Sequence, residues 1–375
     1  MDSRSVFCHN KECPARGKVG QDNISIHSRR EKRYRCRTCG KTYAETKGTA
    51  LYRLHKPAEL FFLVLTLLSH GCPVRAVVAA FGLDERTVAD WLGEAGKHCQ
   101  SVHEHLVRDV ELGSVQADEL WVKMVGRRVW MAMAIAVPTR LWLGGTGSER
   151  RDRCLMGRLA QMVRAEAVSP GLLVLTDGLK AYVGAFRRAW RRPRRTGEVG
   201  RPRLVEEPGL LLGQAVKQYE RRRVLGVVHR AAVGSIEAIE AALGATGSGK
   251  VINTAYIERL NATYRARLIG LVKRTRSLAR RQELLEAGMW LVGVSCNYCT
   301  PHHSLRAETG IGHNILGHYL LDVYGHTRVS KPTSILRVGI AVGFTCYSLK
   351  SLHHATRGVD RQDRRTYNSD YISSY

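Results

Sequence analysis

Acidic residues are scarce in this sequence relative to basic ones, and it has no long hydrophobic run. The chain contains 33 Asp and Glu against 59 Lys and Arg, a formal net charge of +26. An excess of this size favours an anionic partner, either nucleic acid or a membrane surface. The longest apolar runs, residues 61–68 and 338–349, are shorter than the roughly 20 residues of a membrane-spanning helix. Nucleic acid is therefore the better prediction, and we expect no membrane partner.

A secretory signal is not expected either, because the first residues are polar and soon reach cysteines. We therefore expect a cytoplasmic protein. Ten cysteines in such a chain are better explained as metal ligands and buried thiols than as disulfides. The 375 residues predict two to three domains, at about 150 residues per domain.

Four cysteines form two pairs near the start of the chain. The pairs are Cys8 with Cys13 and Cys36 with Cys39, the second within YRCRTCGKTY. Two thiolate pairs on tight turns, separated by enough chain for a hairpin, can close a tetrahedral Zn²⁺ site. The sequence therefore predicts a zinc ribbon over residues 1–48 with one structural Zn²⁺. Replacement of one ligand by His9 or His27 remains an alternative.

A helical pattern occupies residues 56–100. Apolar residues recur at helical spacing from Val74 to Phe81, Gly82 interrupts the pattern, and Asp84 is placed to cap the next helix. This is the spacing of a helix-turn-helix DNA-binding domain. Its second helix carries three candidate DNA contacts, which are Arg86, Thr87 and Lys97. Acidic residues on that helix leave open a plain three-helix packing unit.

From Ser114 the pattern changes to that of strands. SVQADELW, RVWMAMAIAV and RLWLGGTG predict an antiparallel meander, and LLVLTDG predicts a strand buried on both faces. Asp118 lies in the first of these strands and Asp177 at the carboxyl end of the fourth. Adjacent placement of the two strands would bring the carboxylates together, at the edge where open α/β sheets bind ligands. Each aspartate taken alone is more often a turn or capping residue.

A basic helix with one carboxylate follows between residues 253 and 281. Helical spacing places Glu258, Asn261 and Arg265 on one polar stripe. Further candidate DNA contacts after the stripe are Lys273, Arg274 and Arg276. So many cations favour an anionic polymer. The alternative is a solvated helix on which Glu258 forms an ion pair with a neighbouring cation.

An arginine-rich stretch extends over about residues 187–223 and predicts a basic insertion or loop. Its candidate phosphate contacts are Arg187, Arg188, Arg191, Arg192, Arg194 and Arg195. Such contacts hold DNA without reading its sequence. A solvated run of charge is the alternative. Residues 307–375 predict an atypical tail whose end is expected to be disordered.

Together these motifs resemble bacterial insertion-sequence transposases of the DDE type. The resemblance extends over residues 8–306, and its motifs are YRCRTCGKTY with TKGTALYR, ADELW, TDG, IERLNATYRARL with KRT, and NYCTPHHSL, in that order. It implies an α/β fold: an RNase H-like mixed sheet flanked by helices over residues 111–306, preceded by a small zinc ribbon and a helical helix-turn-helix domain.

The resemblance also implies a site and a reaction. The family's acidic triad corresponds to Asp118, Asp177 and Glu258, which would hold two Mg²⁺ or Mn²⁺ ions for strand cleavage and strand transfer. Asn261 and Arg265 match polar positions after the glutamate. The implied partners are double-stranded DNA, both element ends and target, and further copies of the chain, at least a dimer on DNA. Glu119 is a family-like neighbour of Asp118 outside the triad.

Two stretches depart from the family pattern. The arginine-rich stretch lies between Asp177 and Glu258, and the sequence after residue 306 differs from the usual short ending. The alternative function is therefore a non-catalytic DNA-binding regulator or an inactive transposase copy.

Overall fold

The computed structural model describes residues 2–169, 171–194, 202–221, 223–272, 278–300 and 302. These residues belong to two compact units, one ending at Thr66 and one beginning at Leu67. The predicted tail and four candidate DNA contacts lie outside the described residues; those contacts are Arg195, Lys273, Arg274 and Arg276. Among the described helices, none combines the length and hydropathy that a membrane span requires.

The first unit contains a small antiparallel sheet. Its strands, in the order of the sheet, are β1 (Ile24–Ser28), β2 (Arg33–Cys36) and β3 (Thr42–Ala44). Tyr34 and Tyr43 face each other across β2 and β3 and pack with the buried cysteines. A helix, α1 (Ala58–Ser69), begins directly after Pro57, and proline is well suited to the first turn of a helix.

The second unit begins with the two predicted helices, α2 (Val74–Phe81) and α3 (Glu85–Leu106). Gly82 ends α2 in the left-handed conformation with φ +60°, where glycine has no steric cost. The Asp84 side chain accepts hydrogen bonds from the backbone N–H groups of Arg86 and Thr87 and caps α3, as expected.

A meander follows, as the sequence predicts. Its elements, with the helix and strand after it, are β4 (Ser114–Lys123), β5 (Arg128–Ala136), β6 (Trp142–Ser148), α4 (Arg153–Glu166) and β7 (Leu172–Asp177). β4 pairs antiparallel with β5 and β5 with β6, whereas β7 runs parallel to β4 on its other side. Hydrogen bonds from the backbone N–H groups of Cys154 and Leu155 to Asp152 start α4.

The remaining described elements complete the second unit. They are α5 (Lys180–Ala189), β8 (Arg191–Arg194), β9 (Arg203–Glu206), β10 (Leu210–Glu220), β11 (Arg223–Val233), α6 (Ile236–Ala245), α7 (Ala255–Arg267) and α8 (Gln282–Cys299). In the described chain the central sheet has the order β11-β10-β7-β4-β5-β6, with β10 parallel to β7 and antiparallel to β11.

Helices cover both faces of this sheet. Side chains of β4 alternate between the faces, so Val115 and Ala117 pack with α4 and α5, while Leu120 and Val122 pack with α7 and α8. Burial of apolar area on both sides is the main stabilising contribution to such a layered unit. The predicted mixed α/β fold, a mixed sheet flanked by helices after an amino-terminal cysteine cluster, is confirmed.

The expected basic loop over about residues 187–223 is instead largely strands. β8 pairs with β9, β10 belongs to the central sheet, and β11 begins at Arg223. The apolar run at the start of β10 is buried against the sheet, whereas its last four residues are exposed. The many arginines before and after β10 obscured this buried run in the sequence.

The long helix α3 extends beyond the predicted helix-turn-helix domain of residues 56–100. It continues to Leu106 because its middle packs against α8: a Cβ added at Gly96 would lie 2.4 Å from the Ala287 Cα. Only a residue without a side chain allows this approach. The second half of α3 therefore belongs to the core of the second unit.

Candidate metal sites

Four cysteine thiols converge in the first unit. The sulfur atoms of Cys8, Cys13, Cys36 and Cys39 all lie within 4.8 Å of one another. The Cys8 and Cys39 sulfurs are 3.6 Å apart, and those of Cys13 and Cys36 are 3.9 Å apart. A tetrahedron with zinc–sulfur bonds of about 2.3 Å has edges of about 3.8 Å. The cluster can therefore hold a metal such as zinc, as the sequence predicts.

Backbone amides prepare this cluster for a cation. The N–H groups of Asn10, Ala15 and Lys41 donate to the sulfurs of Cys8, Cys13 and Cys39, each two residues earlier, and favour the thiolate form. The Lys41 amide lowers the pKa of Cys39 to about 6. Burial acts oppositely and raises the pKa of Cys8 to about 12. A bound cation would stabilise all four thiolates.

The two histidines considered as alternative ligands are not part of this group. His9 packs edge-on against Tyr43, with ring centroids 5.1 Å apart. His27 lies within β1. Among the described residues, four thiols complete the cluster without a histidine.

A second group of possible ligands, all carboxylates, lies in the central sheet. β4 and β7 are adjacent, and Ala117 pairs with Thr176, which places Asp118 beside Asp177. Carboxylate oxygens of Asp118, Glu119 and Asp177 all lie within 4.8 Å of one another. The prediction that the two aspartates lie together is confirmed. This acidic group can bind a divalent cation.

The acidic group carries unfavourable negative charge. Burial and the neighbouring charge of Glu119 raise the pKa of Asp118 to about 7, and the charges of Asp177 and Glu258 add to the effect. Burial also raises the pKa of Glu119. Carboxylates that repel one another in a partly buried place are stabilised by a shared cation.

Glu119 is held on the opposite face of β4 from Asp118. Its Oε2 accepts a 2.7 Å hydrogen bond from the Tyr182 hydroxyl, and its Oε1 is paired with Arg151. The side chain keeps only 2% exposure. Sequence analysis left Glu119 outside the candidate site, although its position between Asp118 and the apolar Leu120 on a buried strand was a signal of burial.

Arg151 supplies positive charge to the same group. Its guanidinium pairs with Glu119 and lies 3.3 Å from the Asp177 carboxylate. This arginine links the buried glutamate to the half-exposed aspartate. No local pattern in the sequence indicates this role of Arg151, because its contacts join the start of α4 to two strands that lie far away in the sequence.

Helix α7 is attached to β4 by Gln116, two residues before Asp118. The Gln116 Oε1 accepts hydrogen bonds of 2.9 and 3.0 Å from the backbone N–H groups of Tyr256 and Ile257. Its Nε2 donates to the Asn253 carbonyl at 2.9 Å. The side chain thus satisfies N–H groups at the start of α7 that have no partner within the helix. The available signal in the sequence was a glutamine within a predicted strand of the sheet.

Asn261 on α7 contacts Asp118 directly. Its Nδ2 donates a 2.7 Å hydrogen bond to the Asp118 Oδ2, and the residue is only 1% exposed. The Asn261 Oδ1 is buried with no hydrogen-bond partner in the described chain. A buried amide oxygen without a donor is costly, and a cation or its bound water would relieve that cost. This is a fit between the site and a divalent metal.

Glu258 lies near the acidic group and not within it. Its Oε1 accepts hydrogen bonds from Lys217 at 2.7 Å and from the Thr254 hydroxyl at 2.9 Å. Partial burial opposes ionisation, but these donors outweigh it and lower the pKa of Glu258. Its charge still raises the pKa of Asp118. Helical spacing found Glu258, whereas its partner Lys217 came from β10 and was not foreseen.

Most candidate DNA contacts within the described chain are exposed; Asn261, which was predicted to be one of them, is instead buried against Asp118. Arg86 and Lys97 are exposed on α3, with Thr87 half-buried and Lys97 paired with Glu94 at 2.8 Å. Arg265 is exposed on α7. The arginines around β8 are exposed as well, namely Arg187, Arg188, Arg191, Arg192 and Arg194. Glu206 pairs with Arg187 at 2.8 Å and Arg191 at 3.7 Å, so part of this charge is already neutralised.

No protein-family model matches the chain, and no characterised protein matches it. The evidence for its function therefore lies in the two candidate metal sites and the surfaces around them.

Proposed function

We propose that this protein is a DNA transposase that binds the ends of a mobile element and catalyses metal-dependent strand cleavage and strand transfer. One observation carries the proposal. Asp118 and Asp177 lie side by side on adjacent parallel strands, and α7 brings Asn261 onto Asp118 and Glu258 close to it. Three carboxylates from two strands and a helix form a set of hard oxygen ligands for divalent cations.

The sheet supports an RNase H-like catalytic domain. A three-stranded antiparallel meander, β4 to β6, continues on the other side of β4 into the parallel strands β7 and β10. This arrangement is expected of that fold. The two aspartates occupy its centre, on the first and fourth of these strands.

Asp118, Asp177 and Glu258 would hold two Mg²⁺ or Mn²⁺ ions. Such a pair, when bound, activates the attacking oxygen and stabilises the leaving oxygen of a phosphodiester. The chain's own residues prepare the site. Asn261 orients the Asp118 carboxylate, and Lys217 with Thr254 keeps Glu258 ionised and ordered.

Glu258 is a better third ligand than Glu119, although the Glu119 oxygens lie closer to the aspartates. Both Glu119 oxygens have strong partners, and its side chain is 2% exposed. The Glu258 side chain is 47% exposed, and its partner Lys217 is 40% exposed. An exposed ion pair is worth about 0–1 kcal/mol, so a cation can displace Lys217 at little cost.

The remaining parts of the chain would bind DNA. The cysteine cluster would hold one structural Zn²⁺ within a zinc ribbon, α2 and α3 would act as a helix-turn-helix, and the exposed arginines around β8 would contact phosphates. Two ends must be held together for strand transfer, so we propose at least a dimer on DNA.

The test is Mg²⁺-dependent nicking of labelled duplexes taken from the DNA that flanks the coding sequence. Asp118→Asn, Asp177→Asn and Glu258→Gln should each reduce nicking by several orders of magnitude, because a lost ligand misplaces a metal. Glu240→Gln, an exposed residue of α6, is the matched control and should cut normally.

Binding of the same duplexes should survive in all four variants, since other residues hold the phosphates. Nicking that persists in the Glu258 variant, or that needs no divalent metal, would contradict the assignment. A wild-type chain that binds one flanking duplex specifically and never cuts it would instead be a DNA-binding regulator or an inactive copy.

A further inference from the structure

A large aromatic side chain is exposed close to the acidic group. Trp121, three residues after Asp118 on β4, keeps 52% of its surface exposed. Tryptophan is seldom so exposed, because burial of its ring stabilises a protein strongly. A contribution to the buried core therefore does not explain why a tryptophan occupies position 121.

The neighbours of Trp121 form a platform on one face of β4 and β5. Trp121 pairs with Trp130 across the two strands, and Lys123 pairs with Arg128. The Arg128 guanidinium lies over the Trp121 ring, 4.6 Å from its centroid. Arg128 thus covers part of the indole, and about half of the Trp121 surface stays exposed to solvent. We call Trp121, Trp130 and Arg128 the aromatic platform.

The aromatic platform is continuous with the acidic group. The Arg151 guanidinium lies 5.1 Å from the Trp130 ring centroid, and the same group lies 3.3 Å from the Asp177 carboxylate. Glu119, which Arg151 also contacts, is on the same face of β4 as Trp121. One arginine thus bridges the candidate metal site and the platform.

We propose that the aromatic platform binds an unpaired nucleobase of the DNA strand held at the acidic group. An exposed flat ring can stack on any base, and adjacent cations hold the backbone phosphates. The inference rests on the proposed function for the nature of the strand and adds the substrate's structure: a nucleotide outside the duplex, next to the bond that is cut.

The charges around the ring favour DNA over an apolar protein partner. Cations outnumber acidic residues in the turn between β4 and β5 and in the segment after β6; the cations are Lys123, Arg127, Arg128, Arg150 and Arg151, and the acidic residues are Glu149 and Asp152. An apolar protein surface would have to desolvate these charges, whereas a nucleotide supplies both a π face and a phosphate.

The experiment compares binding of two fluorescein-labelled duplexes of one sequence, one blunt and one with a short 3′ tail of unpaired thymidines. Free divalent ions are removed with a chelating resin, so no strand is cut. Wild-type protein should prefer the tailed duplex. Trp121→Ala should reduce that preference about 5- to 150-fold, the effect of one lost stacking contact, and leave blunt binding unchanged.

Two controls make the result specific. Trp121→Phe retains an aromatic face and should keep most of the preference. Tyr219→Ala removes another exposed aromatic, 65% exposed on β10, and should behave as wild type. Thermal unfolding of all variants should match the wild type, because these side chains are exposed.

Equal binding of tailed and blunt duplexes by the wild type, or an unchanged preference in Trp121→Ala, would overturn the proposal. A change in sedimentation of free Trp121→Ala protein would also overturn it and would assign the ring to a contact between copies. Because nothing is cut in this assay, loss of the platform and failure of the nicking test are separate results.

Discussion

The cysteine cluster and the acidic group are two candidate metal sites of opposite character. The thiols of the cysteine cluster accept hydrogen bonds from nearby backbone amides and from the Asn10 side chain, and three of the four are buried. The carboxylates of the acidic group come from β4 and β7, with Glu258 of α7 close by; Asp177 and Glu258 are partly exposed and are already paired with Arg151 and Lys217. A closed site of four ligands is typical of a structural metal, and an open one of a metal that meets substrate.

The difference teaches what each site requires. The cysteine cluster is part of the core of a unit too small to fold on apolar burial alone, so its metal is expected to hold that unit together. The acidic group lies within a sheet whose two faces are covered by helices. Because apolar burial on both faces stabilises that sheet, we expect it to fold without a divalent ion.

Removal of one thiolate should have the largest effect. Cys36→Ser should unfold the first unit, because structural zinc contributes about 10–16 kcal/mol to the folding of such segments. Zinc content and the amide dispersion of the first unit's NMR signals are the measurements. Cys154→Ser, at an exposed cysteine outside the cluster, is the control. Wild-type protein purified without chelator and free of zinc would remove the distinction between the two sites.

The next test separates the two glutamates near Asp118. Glu258→Gln should abolish nicking, and Glu119→Gln should retain much more activity, because the Glu119 oxygens are occupied by Arg151 and Tyr182. Rates measured under saturating Mg²⁺ give the comparison. A Glu119→Gln variant as inactive as Glu258→Gln would show that the buried carboxylate is also essential.

Asp118→Asn should stabilise the protein when free divalent ions are absent. The folded-state pKa of about 7 lies above the ordinary value of 3.8, so the folded protein loses stability as pH rises from about 4 to 7. The variant should therefore gain at least about 1 kcal/mol at pH 8 and nothing below pH 4. Thermal unfolding across this range measures the difference.

Added Mn²⁺ should reverse the order of the Asp118 variant and the wild type. Ligand binding stabilises only the chain that binds, so the wild type should gain stability with Mn²⁺ concentration and the variant should not. If the order stays the same with Mn²⁺, the acidic group does not hold the metal.

The smallest effect is expected at Lys217. Lys217→Met removes the cation that competes for Glu258, and Mn²⁺ affinity at neutral pH should rise about 2- to 5-fold, the worth of an exposed ion pair. Titration calorimetry measures it, with the exposed Lys250→Met as control. A weaker affinity would mean that Lys217 positions Glu258 for the metal.

Local patterns accounted for much of the fold. The meander, the β7 strand and the helices that carry Asp84 and Glu258 follow from alternation, capping and helical spacing, which depend on neighbours in the chain. The adjacency of Asp118 and Asp177 followed from the strands' order. The pairing of Arg151, Lys217 and Gln116 depends on contacts between distant segments, which no local pattern contains.

The arginine-rich stretch shows a second limit of such patterns. The apolar start of β10, LLLGQAV, has the character of a buried strand, but the charges on either side led to its assignment to an insertion. Tertiary pairing with β7 decided the outcome. Whether α2 and α3 read DNA stays a prediction, because exposure of Arg86 and Lys97 permits that role without requiring it.

Gln116 fixes the position of α7, which carries Glu258, relative to β4, which carries Asp118. Its hydrogen bonds to the start of α7 join residues that are 140 and 141 positions apart in the sequence. They attach α7 to β4 directly and not through the elements that lie between them in the chain. Changes of length in the arginine-rich segment therefore do not by themselves move Glu258 relative to Asp118. The strand pair β8 and β9 lies outside the central sheet, so the position of Glu258 beside Asp118 does not depend on it, whereas β10 pairs with β7 and supplies Lys217 to Glu258.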